Sequence, residues 1–362
     1  MDTKEKNKVP DYMKPYLSGV SHIRRYQERE CQSQFGRDIM DRFICLKDFS
    51  SSTPVIHSAT FDKSHQGGGF YFRFAGHGIV VDPGIGFITQ MHNRQIYISD
   101  VDTVIVTHAH VDHNNDVRLL SALNHEYKSS QARERAFFEK FFHCNSDRCG
   151  GITWYMDGET ILSTKEILKG QKVIPLSECC DAAQSLAEGI ALAAVHTDHI
   201  KDSQETYGIR LHFDLGDGGA DWGYTSDTRY FKDLDSFFRD LQVLIFNISD
   251  AHRADVEDKQ LQKWHLGYNG SLRLLNAVKP ELALASEFRC TIGDNRFEIV
   301  KSLNKQGESR TLPANPGLSM DITGKRVCCS SCGRYVEIDR VRAVRPRSAY
   351  EEIEYICEDC LI

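Results

Sequence analysis

A chain of 362 residues is long enough for one large domain or two smaller ones, and 41% hydrophobic with 26% charged residues is the composition of an ordinary globular protein. With 26 glycines and 9 prolines it is neither collagen-like nor of low complexity, and no run approaches the roughly 18 to 20 apolar residues of a membrane span. Forty-four Lys and Arg against 51 Asp and Glu leave a net charge of −7, which excludes coating nucleic acid through bulk positive charge; an anionic substrate needs a local site. The charged opening of residues 1–30 lacks the apolar core of a secretory signal, so a cytoplasmic location is expected. Twelve cysteines are then expected as thiols or metal ligands rather than as a disulfide framework.

Residues 1–52 mix charges with isolated apolar side chains and read as an N-terminal extension. Within 26–47, Phe35, Ile39, Phe43 and Leu46 have helical spacing and predict an amphipathic helix. Phe70-Tyr71-Phe72-Arg73-Phe74 and Gly78-Ile79-Val80-Val81-Asp82-Pro83-Gly84 predict a hairpin, and the β-branched run at 101–107 predicts a buried strand. Helices are expected at 131–142, 164–168, 234–241 and 270–278, and strands at 152–155, 190–195, 207–213, 222–225 and 241–248. Alternating strands and helices indicate a layered α+β or α/β domain over 53–310. Pro313, Pro316 and Gly317 mark residues 311–318 as a linker, followed by a separate unit at 319–362.

The densest chemistry is Thr107-His108-Ala109-His110-Val111-Asp112-His113, directly after the strand expected at 101–107. Three imidazoles and a carboxylate within six residues place neutral nitrogen donors and a hard oxygen within reach of one or two cations, a concentration that solvated loop histidines rarely reach. H-x-H-x-D-H after a strand resembles the signature of the metallo-β-lactamase fold hydrolases. Gly67-Gly68-Gly69-Phe70 through Val81-Asp82-Pro83-Gly84 resembles the opening hairpin of that fold, and Gly223-Tyr224-Thr225-Ser226-Asp227-Thr228-Arg229 resembles the turn whose aspartate bridges two metals. The resemblance covers about residues 54–295. It implies an α+β fold, a four-layer αβ/βα sandwich with its active site at the sheet edges.

Ala194-Val195-His196-Thr197-Asp198-His199 offers two histidines for the next ligand; the resemblance favours His199, with His196 as the alternative. The order Trp264-His265, a helix, then Leu282-Ala283-Leu284-Ala285-Ser286-Glu287 resembles the branch containing tRNA 3′-processing endonucleases and cyclic-nucleotide phosphodiesterases. There, the position of His265 implies a proton donor to the leaving oxygen, and the last strand ends in a ligand histidine. This chain carries Glu287 instead, which can still coordinate zinc but adds negative charge and favours harder ions such as manganese. The plainer alternatives are a surface glutamate at 287 and a packed histidine at 265. The implied arrangement is one metal on His108, His110 and His199, another on Asp112, His113 and Glu287, and Asp227 bridging, with Asp112 and His265 as catalytic residues. The two divalent ions would be zinc, with manganese or iron as alternatives.

Cys329-Ser330-Ser331-Cys332 and Cys357-Glu358-Asp359-Cys360 are two C-x-x-C knuckles separated by 24 residues, a spacing that predicts a structural zinc ribbon whose intervening residues form a β-hairpin. Cys328 could substitute for Cys329, and a redox pair is the competing reading. Arg340, Arg342, Arg345 and Arg347 form a basic stripe that Glu351, Glu352 and Glu354 largely cancel, so a structural or homodimer-forming role is at least as well supported as nucleic-acid contact. The resemblance and the residues together imply a binuclear hydrolase of a phosphodiester, either a small nucleotide or a nucleic-acid end, with no membrane partner. A lactone or thioester hydrolase on the same fold, or a metal-stabilised scaffold without catalysis, are the alternatives.

Overall fold

The computed structural model describes residues 41–47, 68–133, 151–199, 205–216, 218–249, 261–289, 295–344 and 353–361. The chain divides into two compact units, residues 1–39 with 126–150, and residues 40–125 with 151–362. Of the first unit the described residues are 126–133, the second half of helix Val117–Arg133. The other described residues belong to the second unit.

Among the described residues the second unit holds two large sheets, with strands numbered in chain order. One runs Tyr335–Glu337 (β16), Arg326–Cys328 (β15), Ser319–Asp321 (β14), Arg42–Cys45 (β1), Phe70–Phe74 (β2), His77–Val81 (β3), Thr103–Val106 (β4), Thr153–Met156 (β5) and Lys172–Pro175 (β6). The other runs Arg310–Pro313 (β13), Leu282–Phe288 (β12), Val243–Ser249 (β11), Gly219–Tyr224 (β10), Tyr207–Asp214 (β9), Ile190–His196 (β8) and Gln184–Ala187 (β7). Strands β3 to β6 are mutually parallel, as are β10 to β13. Val341–Val344 (β17) and Glu354–Cys357 (β18) form a separate antiparallel pair.

Alternation along each strand builds the layers. Phe70, Phe72 and Phe74 of β2, Ile105 of β4, and Val243 and Ile245 of β11 face the space between the sheets, where they join Phe43, Phe213 and Trp222. Phe43, Phe72 and Trp222 meet at ring-centroid distances of 4.8 Å and 5.3 Å about the indole. The alternate residues point outwards: Leu244, Phe246 and Ile248 pack with Leu274, Leu275 and Leu303 of helices Gly267–Val278 and Arg296–Gln306. On the other outer face Val80, Val104 and Trp154 pack with Phe87, Met91, Val117 and Leu120. Strands buried on both faces become nearly continuous apolar runs, which is why β4 and β11 were legible. Each fully buried large side chain contributes about 1.5–3 kcal/mol.

Several expectations change. Residues 42–45 form strand β1, hydrogen-bonded between β2 and β14, rather than the end of a helix, so the sheet begins inside the expected N-terminal extension; residues 26–40 lie outside the described residues. Helix Val117–Arg133 lies ahead of the one expected at 131–142, of which only 131–133 fall among the described residues, and the helix near 164–168 is instead Gly158–Thr164, with turns after it. The expected linker is half strand: Arg310–Pro313 pairs in parallel with β12 as an edge strand, a place that tolerates Pro313 because its missing N–H faces no ladder partner. The tail is not detached either. Its β14 pairs with β1, β15 and β16 continue that sheet, Trp222 donates its indole N–H to Ile322 O at 2.7 Å, and Tyr355 donates its hydroxyl to Pro313 O at 2.6 Å.

Deleting residues 319–362 should therefore unzip one side of β1 and leave the Trp222 N–H buried without an acceptor, a loss of about 1–3 kcal/mol for that group alone. The expected product is aggregated or lacks a cooperative melt by circular dichroism; a soluble fragment with the parent's midpoint would show the tail to be an independent module.

Candidate metal centre

The site forms where strands of both sheets end. Strand β4 delivers Thr107 and the loop carrying His108 and His110, and a short helix, Val111–Asn114, carries Asp112 and His113. His199 follows β8, Asp227 follows β10, and Glu287 lies near the end of β12. A Cβ on Gly84 would sit 1.8 Å from Asp112 O, so only glycine lets the exit of β3 pass beneath this loop. Asp82, Ser226 and Glu287 all have left-handed backbone, with φ of 51°, 52° and 55°. That conformation costs a non-glycine residue about 1–3 kcal/mol and persists where surrounding contacts fix it.

Hydrogen bonds aim the donors. Asp82 accepts Thr107 N at 2.7 Å, Thr107 Oγ1 at 2.8 Å and His113 Nδ1 at 2.7 Å, which turns His113 Nε2 into the site. His199 Nδ1 donates to Trp264 O at 2.6 Å, leaving its Nε2 facing Asp227. Asn247 Nδ2 donates to Asp227 Oδ1 at 3.0 Å, so Oδ2 is the free carboxylate oxygen. Around Asp227 Oδ2 stand His199 Nε2 at 3.5 Å, His113 Nε2 at 3.7 Å, and His108 Nε2 and His265 Nδ1 at 3.8 Å. Partners that fix the second ring nitrogen in this way are the usual support of ligand imidazoles.

Two donor sets flank that oxygen. His108, His110, His199 and Asp227 offer ligand atoms all within 4.8 Å of one another, and so do Asp112, His113 and Glu287. Nε2 of His108 and Nε2 of His113 are buried without a well-directed hydrogen bond, a state that costs about 1–3 kcal/mol per group and that a cation relieves. Burial, then the neighbouring His113, hold His108 well below its usual pKa, and burial lowers His199, so both present neutral imidazoles as metal ligation requires. Burial opposes the charge on Asp227, but His265 and His113 hold its carboxyl well below the usual range. Burial and the adjoining Asp227 oppose the charge on Glu287 and raise its pKa, while Lys47 and His113 favour the carboxylate. Burial alone would strip the proton from Lys47, but Glu287, Asp112, Asp82 and Asp227 outweigh it and raise its pKa.

The structure thus brings together His108, His110, Asp112, His113, His199, Asp227 and Glu287. His196 stands apart, exposed, with its ring 4.7 Å from Tyr207. His265 is 27% exposed, its ring 4.7 Å from that of His199. His77 bonds Thr103 Oγ1 at 2.9 Å and His92 is exposed, both outside the site; His57, His65 and His252 lie outside the described residues. Sequence reasoning missed Asn247 and Lys47, which nothing in their neighbouring residues marks, and the supporting role of Asp82.

In the tail, the sulfurs of Cys329, Cys332, Cys357 and Cys360 all lie within 4.8 Å of one another. Gly333 N donates to Cys329 O at 2.8 Å from a left-handed turn with φ 71°, the bend that closes the first knuckle. Arg334 donates to Cys332 Sγ at 3.4 Å and pulls that thiol down to about 6. Cys328 turns away, its sulfur 3.5 Å from Gly333 O. The four-cysteine cluster suits a structural zinc.

Residues 77–286 match the family described as Beta-lactamase superfamily domain. An uncharacterized protein of Methanocaldococcus jannaschii, MJ1374, is 23% identical over 266 residues, 73% of this chain and 90% of that protein. A cAMP/cGMP-dependent 3′,5′-cAMP/cGMP phosphodiesterase B of Dictyostelium discoideum is 35% identical over 63 residues, 17% of this chain and 6% of that protein. Among solved structures, the metallo-β-lactamase fold protein YhfI of Bacillus subtilis superposes with a TM-score of 0.57 at 14% identity, covering 77% of this chain and 97% of YhfI. The fold is therefore that of the metallo-β-lactamases. No helix among the described residues is long and apolar enough to cross a membrane.

Two outcomes are expected from elemental analysis of purified protein. Replacing Cys357 and Cys360 by Ser should remove about one zinc per chain and leave the histidine site loaded; unchanged zinc would rule out the tail site. His199→Ala should deplete the histidine site whereas His196→Ala should not, and the reverse pattern would overturn the choice of ligand.

Proposed function

From the premise that the chain belongs to the Beta-lactamase superfamily, we propose that it is a metal-dependent phosphodiesterase acting on a nucleotide or on the end of a nucleic acid. His108, His110, His199 and Asp227 hold one divalent ion, and Asp112, His113, Asp227 and Glu287 form a second cation position. Divalent ions held there would supply nucleophilic water at neutral pH and positive charge for phosphoryl oxygens. The observation that carries the reading is the arrangement around Asp227 Oδ2: three buried imidazoles converge on it from the two donor sets, and a fourth, His265, approaches as a member of neither. Its partial exposure supports reading His265 as the group that meets a departing oxygen rather than as a ligand.

The rim supports an organic substrate. Val111 is 56% exposed and Trp264 44% exposed, and both adjoin site residues in the chain. Trp264 accepts from His199 through its carbonyl, and its exposed indole would offer a nucleobase a π-face to stack on. The short stretch of likeness to the Dictyostelium phosphodiesterase points the same way.

A ribose alkoxide leaves only with a proton or strong electrostatic help, while p-nitrophenolate leaves unaided; general acid help contributes about 10² to 10⁴-fold. His265→Ala should therefore depress hydrolysis of a nucleotide phosphodiester by that order and affect bis-p-nitrophenyl phosphate much less, with metal content intact. Equal losses on both substrates would make His265 a supporting residue. No turnover of either phosphodiester by metal-replete protein would sink the phosphodiesterase reading and hand the question to lactone and thioester substrates.

A further inference from the structure

An ammonium with no exposure is rare in a protein, and Lys47 is 0% exposed. It follows β1, the strand wedged between β2 and β14, and its Nζ forms an ion pair with Glu287 Oε1. The same carboxylate oxygen lies 3.2 Å from Nε2 of His113. Glu287 Oε1 is therefore shared between an ammonium and the donor set of the second cation position. Nor is its direction accidental. Glu287 holds a left-handed φ of 55° inside a strand whose residues are all buried, a backbone that the surrounding contacts must enforce.

Charge explains why a lysine is there. Asp112, Asp227 and Glu287 address the second position and Asp82 stands behind His113, so four carboxylates, none more than 7% exposed, crowd one region. A neutral imidazole at position 287 would leave three. Lys47 cancels the charge that a carboxylate adds at this place: it pairs with Glu287 on β12, its charge is further favoured by Asp112 on the short helix, Asp82 after β3 and Asp227 after β10, and it disfavours charge on His113. A buried ion pair of this kind is costly to break from one side, because the surviving partner stays buried and uncompensated.

We propose that Lys47 is a positioning residue, the built-in counter-ion that lets Glu287 serve as a ligand, so that the two together act as one neutral ligand and neither works without the other. This rests on the reading that Asp112, His113, Asp227 and Glu287 hold the second cation, and its test separates the two. Zn²⁺ is titrated into metal-stripped full-length protein by calorimetry, and metal per chain is measured after dialysis, for wild type, Glu287→Ala, Lys47→Met, Glu287→His and the double variant Lys47→Met with Glu287→His. Circular dichroism checks each fold.

Lys47→Met should weaken the second active-site equivalent by about 10- to 100-fold, the usual effect of losing a group that supports a ligand. Glu287→His should weaken it too, since it strands a buried ammonium beside the ion. The double variant should recover most of the lost affinity, a reversal that a merely structural lysine would not give. Where a single variant fails to fold, the double variant decides: folded but still lacking the second equivalent, it overturns the proposal. Full affinity in Lys47→Met also overturns it. A gain of metal in that variant would overturn it as well, by showing that the ammonium itself fills the position. If Glu287→Ala binds metal as wild type does, the ligand reading of Glu287 falls and the proposal with it.

Discussion

Everything in this molecule is arranged around the burial of like charges. Asp82, Asp112, Asp227 and Glu287 lie at 0–7% exposure within one region, where each would cost several kcal/mol unless paired or hydrogen-bonded. The compensation comes from both sheets. Thr107 and His113 address Asp82, Asn247 and four imidazoles address Asp227, and Lys47 addresses Glu287. None of these groups is local to its partner in sequence, so the site and the face-to-face packing of the sheets require one another. The Phe43, Phe72 and Trp222 cluster that joins the sheets thereby also sets the distances at their edges.

The part of the site readable from sequence is the part that one piece of chain supplies. His108, His110, Asp112 and His113 lie on one strand exit and one helical turn, so their spacing alone announces a cation site. Asp227 and His199 were readable only through likeness to a family, because each stands on its own strand end and a single acidic or imidazole side chain carries no signal of convergence. Lys47 was not readable at all. Leu46-Lys47-Asp48 looks like any strand leaving a core for solvent, and only the sheet pairing of β1 turns that lysine inwards. The same pairing explains the misread helix: Phe43-Ile44-Cys45-Leu46 is a short apolar run, which periodicity cannot assign to strand or helix.

The tail teaches a related lesson. Two C-x-x-C knuckles at the right separation are a local pattern and were legible. That β14 would pair with β1, nearly three hundred residues earlier, follows from no local pattern. Pro313, Pro316 and Gly317 read as a linker, but residues 314–318 connect an edge strand of one sheet to an added strand of the other instead of separating two domains. The four-cysteine cluster consequently stands at the end of an extension of the catalytic sheet. A metal there would fasten β15 and β18, and through β14 the strand that carries Lys47 towards the site.

Net charge and local charge pull in opposite directions, and the structure reconciles them. At −7 overall the protein repels polyanions at long range, an effect that fades beyond a Debye length of about 8 Å at physiological ionic strength. Under the proposed function, capture of a phosphate-bearing substrate would depend on the short-range field of the site. Divalent ions held by the two donor sets would supply that field, and the carboxylates beneath would offset part of it. On the role proposed for it, Lys47 would shift the remaining balance by one unit from a fully buried place beside Glu287. A lysine on the rim would offer the same charge to any anion; one buried against Glu287 would act through the proposed cation position instead.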